Sequence, residues 1–296
     1  MTVAINTPNG NIGRALALQL LDAGTSVRIL SRTADKAADL VSRGAELVLG
    51  STDDPAALKA LFEGVDAIFW LNPPLLHRDD FFEWSEAAAR LGAAAAVEAG
   101  VARAVVMSSM GAQLPEGTGP IASAHRVERA FFAALPDVTA LRAGFFMENF
   151  FGNLPTIASE GRIYHAAPQA ARVPMVSTGD IAAAAFDRLQ SADWSGHHRL
   201  GVHGPADLTH DEAAALIGEG LGRKIEAVAV PPAGLEQALL GAGLPPNVAS
   251  RYREMFEAIH SGLLTVEEPR SAQTTTPTSL TDFARAAIAP ALASMG

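Results

Sequence analysis

Short runs of apolar residues recur along the first half of the chain, at Thr2 to Asn6, Ser26 to Leu30, Glu46 to Leu49, Ala67 to Leu71, Ala104 to Met107 and Val138 to Leu141. They are too short for helices and too continuously apolar for strands with one wet face. The pattern therefore predicts strands buried on both faces of a parallel sheet. Between them the apolar positions take helical spacing, over Arg14 to Ala23, Ala34 to Arg43, Ala56 to Phe62 and Asp79 to Ala99. Boundary signals agree: Thr33 ahead of the second helix, Asp54-Pro55 opening the third, and Gly44, Gly64 and Gly100 closing the second, third and fourth. Strands alternating with helices at this density predict an α/β fold with a doubly wound parallel sheet.

Beyond Arg142 the rhythm changes to short helices, isolated strands and loops rich in Pro and Gly, with Gly179 to Gln190, Thr209 to Glu219 and Leu280 to Leu292 the clearer helices. This predicts a sheet domain over 1–145 and a smaller C-terminal α/β lobe over 146–296 that faces the substrate. No Gly/Ser-rich linker and no repeat of fixed period separates them, so the lobe is expected to interleave with the sheet domain. Pro269 to Pro277 is the one stretch where disorder is expected.

The first connection, Thr7-Pro8-Asn9-Gly10-Asn11-Ile12-Gly13, joins the first strand to the first helix. A glycine-rich turn there brings backbone N–H groups and a helix N-terminus up to an anion, the geometry that binds a dinucleotide pyrophosphate. In a G-x-x-G-x-x-G spacing the first glycine is replaced by Thr7, followed by Pro8 with its fixed φ. The turn must then be made with ordinary φ values, and the pyrophosphate should lean on Gly10, Asn11 and the amides of Ile12 and Gly13. Glycine here also serves a positive φ or close packing with no ligand. Asn9 and Asn11 either add side-chain donors or act as turn residues.

The tip of the second strand, Ser31-Arg32, selects between cofactors. An acidic residue there would accept hydrogen bonds from the adenine ribose and repel a 2′-phosphate. Arg32 and Lys36 instead can converge on that phosphate, which points to NADP(H) rather than NAD(H). The alternative is two solvated charges at an exposed helix start.

Composition narrows the remaining classes. The chain of 296 residues is 49% hydrophobic and 18% charged, values of a globular protein. Its net charge of −10 argues against direct nucleic-acid binding. It has no cysteine, which excludes disulfides, thiolate catalysis and Cys-based zinc sites. The N-terminus enters a strand at once and no apolar stretch reaches the length of a membrane span, so a cytoplasmic protein without a membrane partner is expected. His197, His198 and His203 lack the carboxylate pattern of a metal site and read as strand or loop histidines. Neither a G-x-S-x-G elbow nor a G-x-x-x-x-G-K-[ST] loop is present.

The opening turn with Arg32, Phe69-Trp70-Leu71-Asn72-Pro73-Pro74, Ser108-Ser109-Met110-Gly111, Leu141-Arg142-Ala143-Gly144-Phe145-Phe146-Met147-Glu148-Asn149 and Gly204-Pro205-Ala206-Asp207-Leu208 together resemble the NmrA-like branch of the atypical short-chain dehydrogenases/reductases. The resemblance runs nearly end to end. It implies a Rossmann fold with bound NADP(H), in members that reduce quinones, imines or enones or that sense redox state without turnover. It also implies that Asn72, Pro73 and Pro74 flank the cofactor and that Ser108 and Ser109 approach the nicotinamide. Gly144, Phe145 and Phe146 would wall the nicotinamide pocket, with Met110, Phe146, Met147 and Asn149 on the substrate side. The other reading is a rigid Pro73-Pro74 loop and a core stripe of phenylalanines, and that core role is expected of Phe150 and Phe151.

The chain departs from that pattern at the acid-base pair. Its two tyrosines, Tyr164 and Tyr252, are not followed by lysine four residues later, so the Tyr-x-x-x-Lys pair is absent. His125 falls near the place of the lysine and is the candidate replacement, either as proton donor or as a structural histidine. Ser109 could orient a carbonyl oxygen, though a hydroxyl is a poor acid without an activating neighbour. The expectation is an NADPH-dependent reductase delivering hydride to a conjugated small molecule lying against Phe146 and Met147, with no metal. The alternative is a non-catalytic NADP(H)-sensing protein, and a homodimeric state is left open.

Overall fold

The computed structural model of the chain describes residues 1–191 and 193–295. Its first half runs β1 (Thr2–Ile5), α1 (Asn11–Asp22), β2 (Ser26–Ser31), α2 (Ala38–Ser42), β3 (Glu46–Leu49), α3 (Pro55–Phe62), β4 (Ala67–Trp70), α4 (Phe81–Glu98), β5 (Arg103–Ser109), α5 (Ile121–Ala134) and β6 (Asp137–Ala143). The second half adds β7 (Phe145–Phe146), α6 (Leu154–Glu160), β8 (Arg162–His165), β9 (Val173–Val176), α7 (Thr178–Gln190), β10 (His197–Val202), β11 (Asp207–Leu208) and α8 (His210–Leu221). It closes with β12 (Glu226–Ala229), α9 (Pro232–Gly241), α10 (Pro246–His260), α11 (Leu280–Phe283) and α12 (Ala289–Ala293).

The main sheet has seven strands in the order β3-β2-β1-β4-β5-β6-β10, every pair parallel. Successive side chains of a strand point to opposite faces, and both faces are covered. Val3 and Ile5 of β1 pack toward α1 and α7 among Leu16, Leu20, Ile181 and Leu189. Ala4 points the other way, into a second core with Leu58 and Phe62 of α3, Ala93 of α4 and Phe131 of α5. On that face α4 comes so close that a Cβ at Gly92 would overlap the fully buried Trp70 ring. The six expected strands are all present, and β10 adds a seventh that comes from beyond residue 145 and pairs with β6 from Val138 to Ala143.

Helix boundaries follow local chemistry. Asp54 accepts from the Ala56 and Ala57 amides at the start of α3, and Gly64 and Gly100 leave α3 and α4 with φ of 65° and 75°. The second helix differs from expectation. Thr33 does not cap it; the chain passes through a 3₁₀ turn over Asp35–Ala37, and α2 begins only at Ala38 without a side-chain cap.

The C-terminal residues build a third core around Met147, Ile163, Met175, Ile217 and Phe283. Small sheets of order β11-β9-β7 and β12-β8 flank it. Pro269 to Pro277, expected to be disordered, is held along β10's end: His203 donates to the Thr274 carbonyl at 2.7 Å and accepts from the Thr276 amide at 2.9 Å. Just before it, Glu268 and Glu267 reach Arg142 of β6, 1% exposed, which also forms a two-pronged pair with Glu128 of α5 at 2.8 and 2.9 Å. Burial opposes the guanidinium charge, but these carboxylates outweigh it and raise its pKa. No helix among the described residues is long and apolar enough to cross a membrane.

In the third core the buried His165 and His210 rings stack, centroids 4.0 Å apart and planes 5° from parallel. Among the described residues neither Nδ1 has a hydrogen-bond partner. Burial, then the neighbouring His165, lowers the His210 pKa to about 4 against an opposing pull from Asp211, and burial lowers His165 too. An unfolded histidine takes a proton near pH 6.5, so the folded pair binds fewer protons below that pH. The pair's contribution to stability is complete above pH 6.5 and declines as pH falls toward 4. Unfolding free energy in urea is expected to drop by about 2 kcal/mol between pH 7 and pH 5 from this pair. In His210→Phe most of that pH dependence should vanish; an unchanged slope would refute the assignment.

Candidate functional site

The site begins where β1 stops. Among the described residues no non-glycine residue has a positive φ, and Gly10 itself is extended at φ −85°, ψ 164°. The Thr7-Pro8 turn is thus made with ordinary backbone, closed by the Gly10 amide donating to the Thr7 carbonyl at 3.4 Å. The two glycines then separate in role. A Cβ at Gly13 would overlap the Thr7 carbonyl oxygen, so this glycine lets the first turn of α1 lie against the turn that precedes it. At Gly10 a Cβ would meet nothing closer than the Thr7 oxygen at 3.9 Å. Neither backbone angle nor packing calls for glycine at position 10; the feature it leaves is a bare backbone facing the cleft.

Helix α1 starts at Asn11 with no side-chain cap and no acidic residue in its first turn. The amides of Asn11, Ile12 and Gly13 therefore have no intrahelical acceptor and sit at the positive end of the helix dipole. Thr7 contributes a buried hydroxyl oxygen without a partner among the described residues. These groups line one wall of a cleft of about 790 Å³. It lies over the C-terminal strand ends at the point where the winding reverses between β1 and β4.

Beside the turn, Asn9 donates to the Ser31 hydroxyl at 2.8 Å, which itself donates to the Thr33 carbonyl. The Asn9 amide is thereby a tie between the turn and the tip of β2. A recess of about 360 Å³ opens here, lined by Asn9, Ser31, Arg32, Thr33 and Lys36. The nearby Arg14, Arg28 and Arg43 are paired with Asp39, Glu46 and Asp22. Among the described residues Arg32 and Lys36 have no ion-pair or hydrogen-bond partner, so two uncompensated cations border one recess.

The opposite wall comes from the loop after β4. Asn6, 3% exposed, clamps the ends of β1 and β4, donating to the Leu71 carbonyl at 2.8 Å and accepting from its amide at 2.9 Å. Asn72 reaches the cleft wall, but its side chain accepts from the Trp70 indole at 2.7 Å and donates to Ser85. Pro73 and Pro74 continue this wall. Trp84 donates to Asp53 at 2.8 Å, and hydrogen bonds from Ser51 and then Trp84 lower the Asp53 pKa against partial burial. Arg78 lies over the Trp84 ring, 5.5 Å from its centroid. At the far end stand Met107, Phe146, Glu148, Asn149 and Thr178.

Several residues expected at this end are elsewhere. Ser108 turns its hydroxyl to the buried Glu128, and Ser109 donates to the Met110 carbonyl at 3.0 Å. Met110 and Met147 belong to the third core, Met147 with no exposed surface. His125 holds the Ala112 carbonyl at 2.8 Å through Nδ1 and does not line the cleft. Gly144 packs against the Pro174 carbonyl, and Phe145 lies between Phe150 and His210. In the two-residue strand β7 alternation sends Phe146 to the cleft and Phe145 to the third core, and Met147, at the start of the 3₁₀ turn that follows, packs inward. Asn6, Asp53, Arg78, Trp84, Met107, Glu148 and Thr178 were not anticipated. Asn6 left a trace in the sequence as the polar residue that ends an apolar strand.

An open parallel sheet with a glycine-turned helix start over its switch point defines a nucleotide-binding protein of the doubly wound class. The chain belongs to the NmrA-like family, whose profile matches residues 1–276. It is 31% identical over 266 residues to the (4-alkanoyl-5-oxo-2,5-dihydrofuran-3-yl)methyl phosphate reductase of Streptomyces griseus, covering 88% of each chain. It is 28% identical over 254 residues to the NAD(P)H azoreductase of Xenophilus azovorans, covering 83% of each. Among solved structures, the NADPH-dependent quinone oxidoreductase QOR2 of Escherichia coli, complexed with NADPH, superposes with a TM-score of 0.79 at 20% identity, covering 99% of both chains.

The unequal surroundings of the two glycines set a test on the folded chain alone. Gly13→Ala should lower the urea-unfolding free energy by about 1–3 kcal/mol through overpacking against Thr7. Gly10→Ala should change it by less than about 0.5 kcal/mol. Equal losses at both positions would contradict the separation of roles.

Proposed function

We propose that the chain is an NADPH-dependent reductase that passes hydride to a conjugated small-molecule acceptor. The observation that carries this reading is the recess bordered by Arg32 and Lys36 beside the bare backbone of Gly10. Two cations without partners suit a 2′-phosphate, which the forked guanidinium of Arg32 would grip and Lys36 would neutralise. Gly10 lets a pyrophosphate approach the free amides of Asn11, Ile12 and Gly13. The groups present fit NADP(H), and the relative named for NAD(P)H azoreduction is consistent with it.

When bound, such a cofactor supplies hydride from its nicotinamide ring. The protein's part is to bind, orient and exclude water. Leu71, Pro73, Pro74, Met107 and Phe146 form the apolar wall, and the exposed Asn149 offers an amide with no partner of its own among the described residues. No tyrosine, lysine or histidine of the described residues lines this cleft. His125 and Ser109 are engaged elsewhere, and the carboxylates on the cleft wall, Asp53 and Glu148, are occupied as acceptors by Ser51, Trp84 and Thr178, so no side chain there is placed as a proton donor. Quinones, enones and imines suit such a site, because an electron-poor acceptor takes hydride readily and solvent supplies any proton that is needed. Relatives named for azo and dihydrofuranone reduction act on conjugated substrates of this general kind.

The same lack of an acid favours a second reading, a protein that binds NADP(H) and reports its presence without turnover. Following NADPH absorbance with a panel of quinones, enones and imines separates the two. Oxidation above the acceptor-free rate supports the reductase. Binding of NADPH without oxidation of any acceptor sinks it and leaves the sensor. For the cofactor choice, Arg32→Ala should weaken NADPH at least about tenfold while changing NADH little, as measured by titration. Equal weakening of both would overturn the phosphate assignment.

A further inference from the structure

The turn that opens the cleft contains a reactive pair of residues. Of the seven asparagines in the chain only Asn9 is followed by glycine; the others precede threonine, isoleucine, proline, phenylalanine, leucine or valine. An asparagine side chain is lost when the amide nitrogen of the next residue attacks its Cγ and closes a five-membered ring. A side chain on that next residue obstructs the approach, and glycine removes the obstruction.

The surroundings leave this pair open. Asn9 and Gly10 are both exposed, and a Cβ at Gly10 would meet nothing closer than the Thr7 oxygen at 3.9 Å. The Gly10 amide is held by one long bond, 3.4 Å to the Thr7 carbonyl. Among the described residues the Asn9 side chain has a single tie, from its nitrogen to the Ser31 hydroxyl at 2.8 Å. Asn6, just ahead of the turn, is by contrast buried and bonded through both side-chain atoms to Leu71. Asn9 also lies where a new charge matters, because it lines the recess with Arg32 and Lys36.

We infer that Asn9 is a site of spontaneous deamidation, whose product turns the recess from one that accepts a phosphate into one that excludes it. The Gly10 nitrogen loses its proton and bonds to Asn9 Cγ, the Cγ–Nδ2 bond breaks, and the side-chain nitrogen leaves as ammonia. Water then opens the ring at one carbonyl or the other, giving aspartate or isoaspartate. The sum is one water taken up and one ammonia released, with no change of oxidation state. Aspartate at position 9 compensates the cations of Arg32 and Lys36, repels a phosphate and replaces the donor to Ser31 by an acceptor. Isoaspartate also routes the backbone through Cβ, lengthening the turn ahead of the amides of residues 11 to 13. The effect on cofactor choice rests on the cofactor reading above; the reaction itself does not.

The test ages the full chain in mildly alkaline buffer and follows every asparagine by peptide mass mapping. Asn9 should convert before any other asparagine, and at least about tenfold more slowly in Gly10→Ala. Earlier conversion of another asparagine, or an unchanged rate in Gly10→Ala, overturns the site. For the consequence, NADPH and NADH are titrated into Asn9→Asp and Asn9→Ala. The affinity for NADPH relative to NADH should fall about tenfold in Asn9→Asp and stay within about twofold in Asn9→Ala, which loses the Ser31 tie without gaining a charge. An unchanged ratio in Asn9→Asp, or an equal fall in both variants, overturns the exclusion of phosphate. If the unaltered chain binds neither dinucleotide, the cofactor reading and the exclusion fall together, and the mass mapping still decides the site.

Discussion

Helix α1 can begin as close to the end of β1 as it does because position 13 has no side chain. The Thr7 carbonyl occupies the space that any Cβ there would need. That contact sets where the first turn of α1 points, and with it the direction in which the amides of residues 11 to 13 face. Everything along the cleft is placed relative to this corner. Asn9 ties it sideways to β2 through Ser31, and Asn6 ties it across to β4 through Leu71. Replacing the first glycine of the turn by Thr7 costs nothing in backbone strain, since the path needs no positive φ before Gly24.

Charge is distributed along the cleft with the same economy of parts. The chain carries an excess of acidic groups, and the arginines flanking the β2 tip are paired with carboxylates. Arg32 and Lys36 stand apart from that compensation, as does Glu148 at the other end. These charges therefore remain without an ion-pair partner among the described residues.

The far end of the cleft is held from outside it. Arg142 in β6 lies two residues before Gly144 and four before Phe146, and it joins α5 to the segment around Glu267 and Glu268. Removing one partner of such a buried network leaves the others uncompensated, so the arrangement resists piecemeal change. Beside it, β10 pairs with β6 along six residues and is followed directly by His203, whose backbone holds Thr274 and Thr276. The Phe146 wall is thus continuous with a sheet edge and a strap contributed by the last third of the chain.

Six strands of the sheet, the first four helices and the nucleotide corner were legible in the sequence, because each rests on local signals: apolar runs, helix-stop glycines and a turn whose residues are adjacent in the chain; α5, which also covers the sheet, was not. Arg32 and Lys36 were legible for the same reason, being four residues apart at a strand tip. The strand identity of β10, the burial of Ser108 against Glu128, the turning of Ser109 and His125 away from the cleft, and the inward packing of Met147 were not. These depend on which face of a strand or turn meets which neighbour, and a one-residue change of face moves a side chain from cleft to core. By itself the sequence determined the first six strands of the sheet, the first four helices between them, their order and a dinucleotide-type corner. Only the tertiary structure decided that Glu148 reaches the cleft while the adjacent Met147 does not, since that choice is made by packing among residues far apart in the chain.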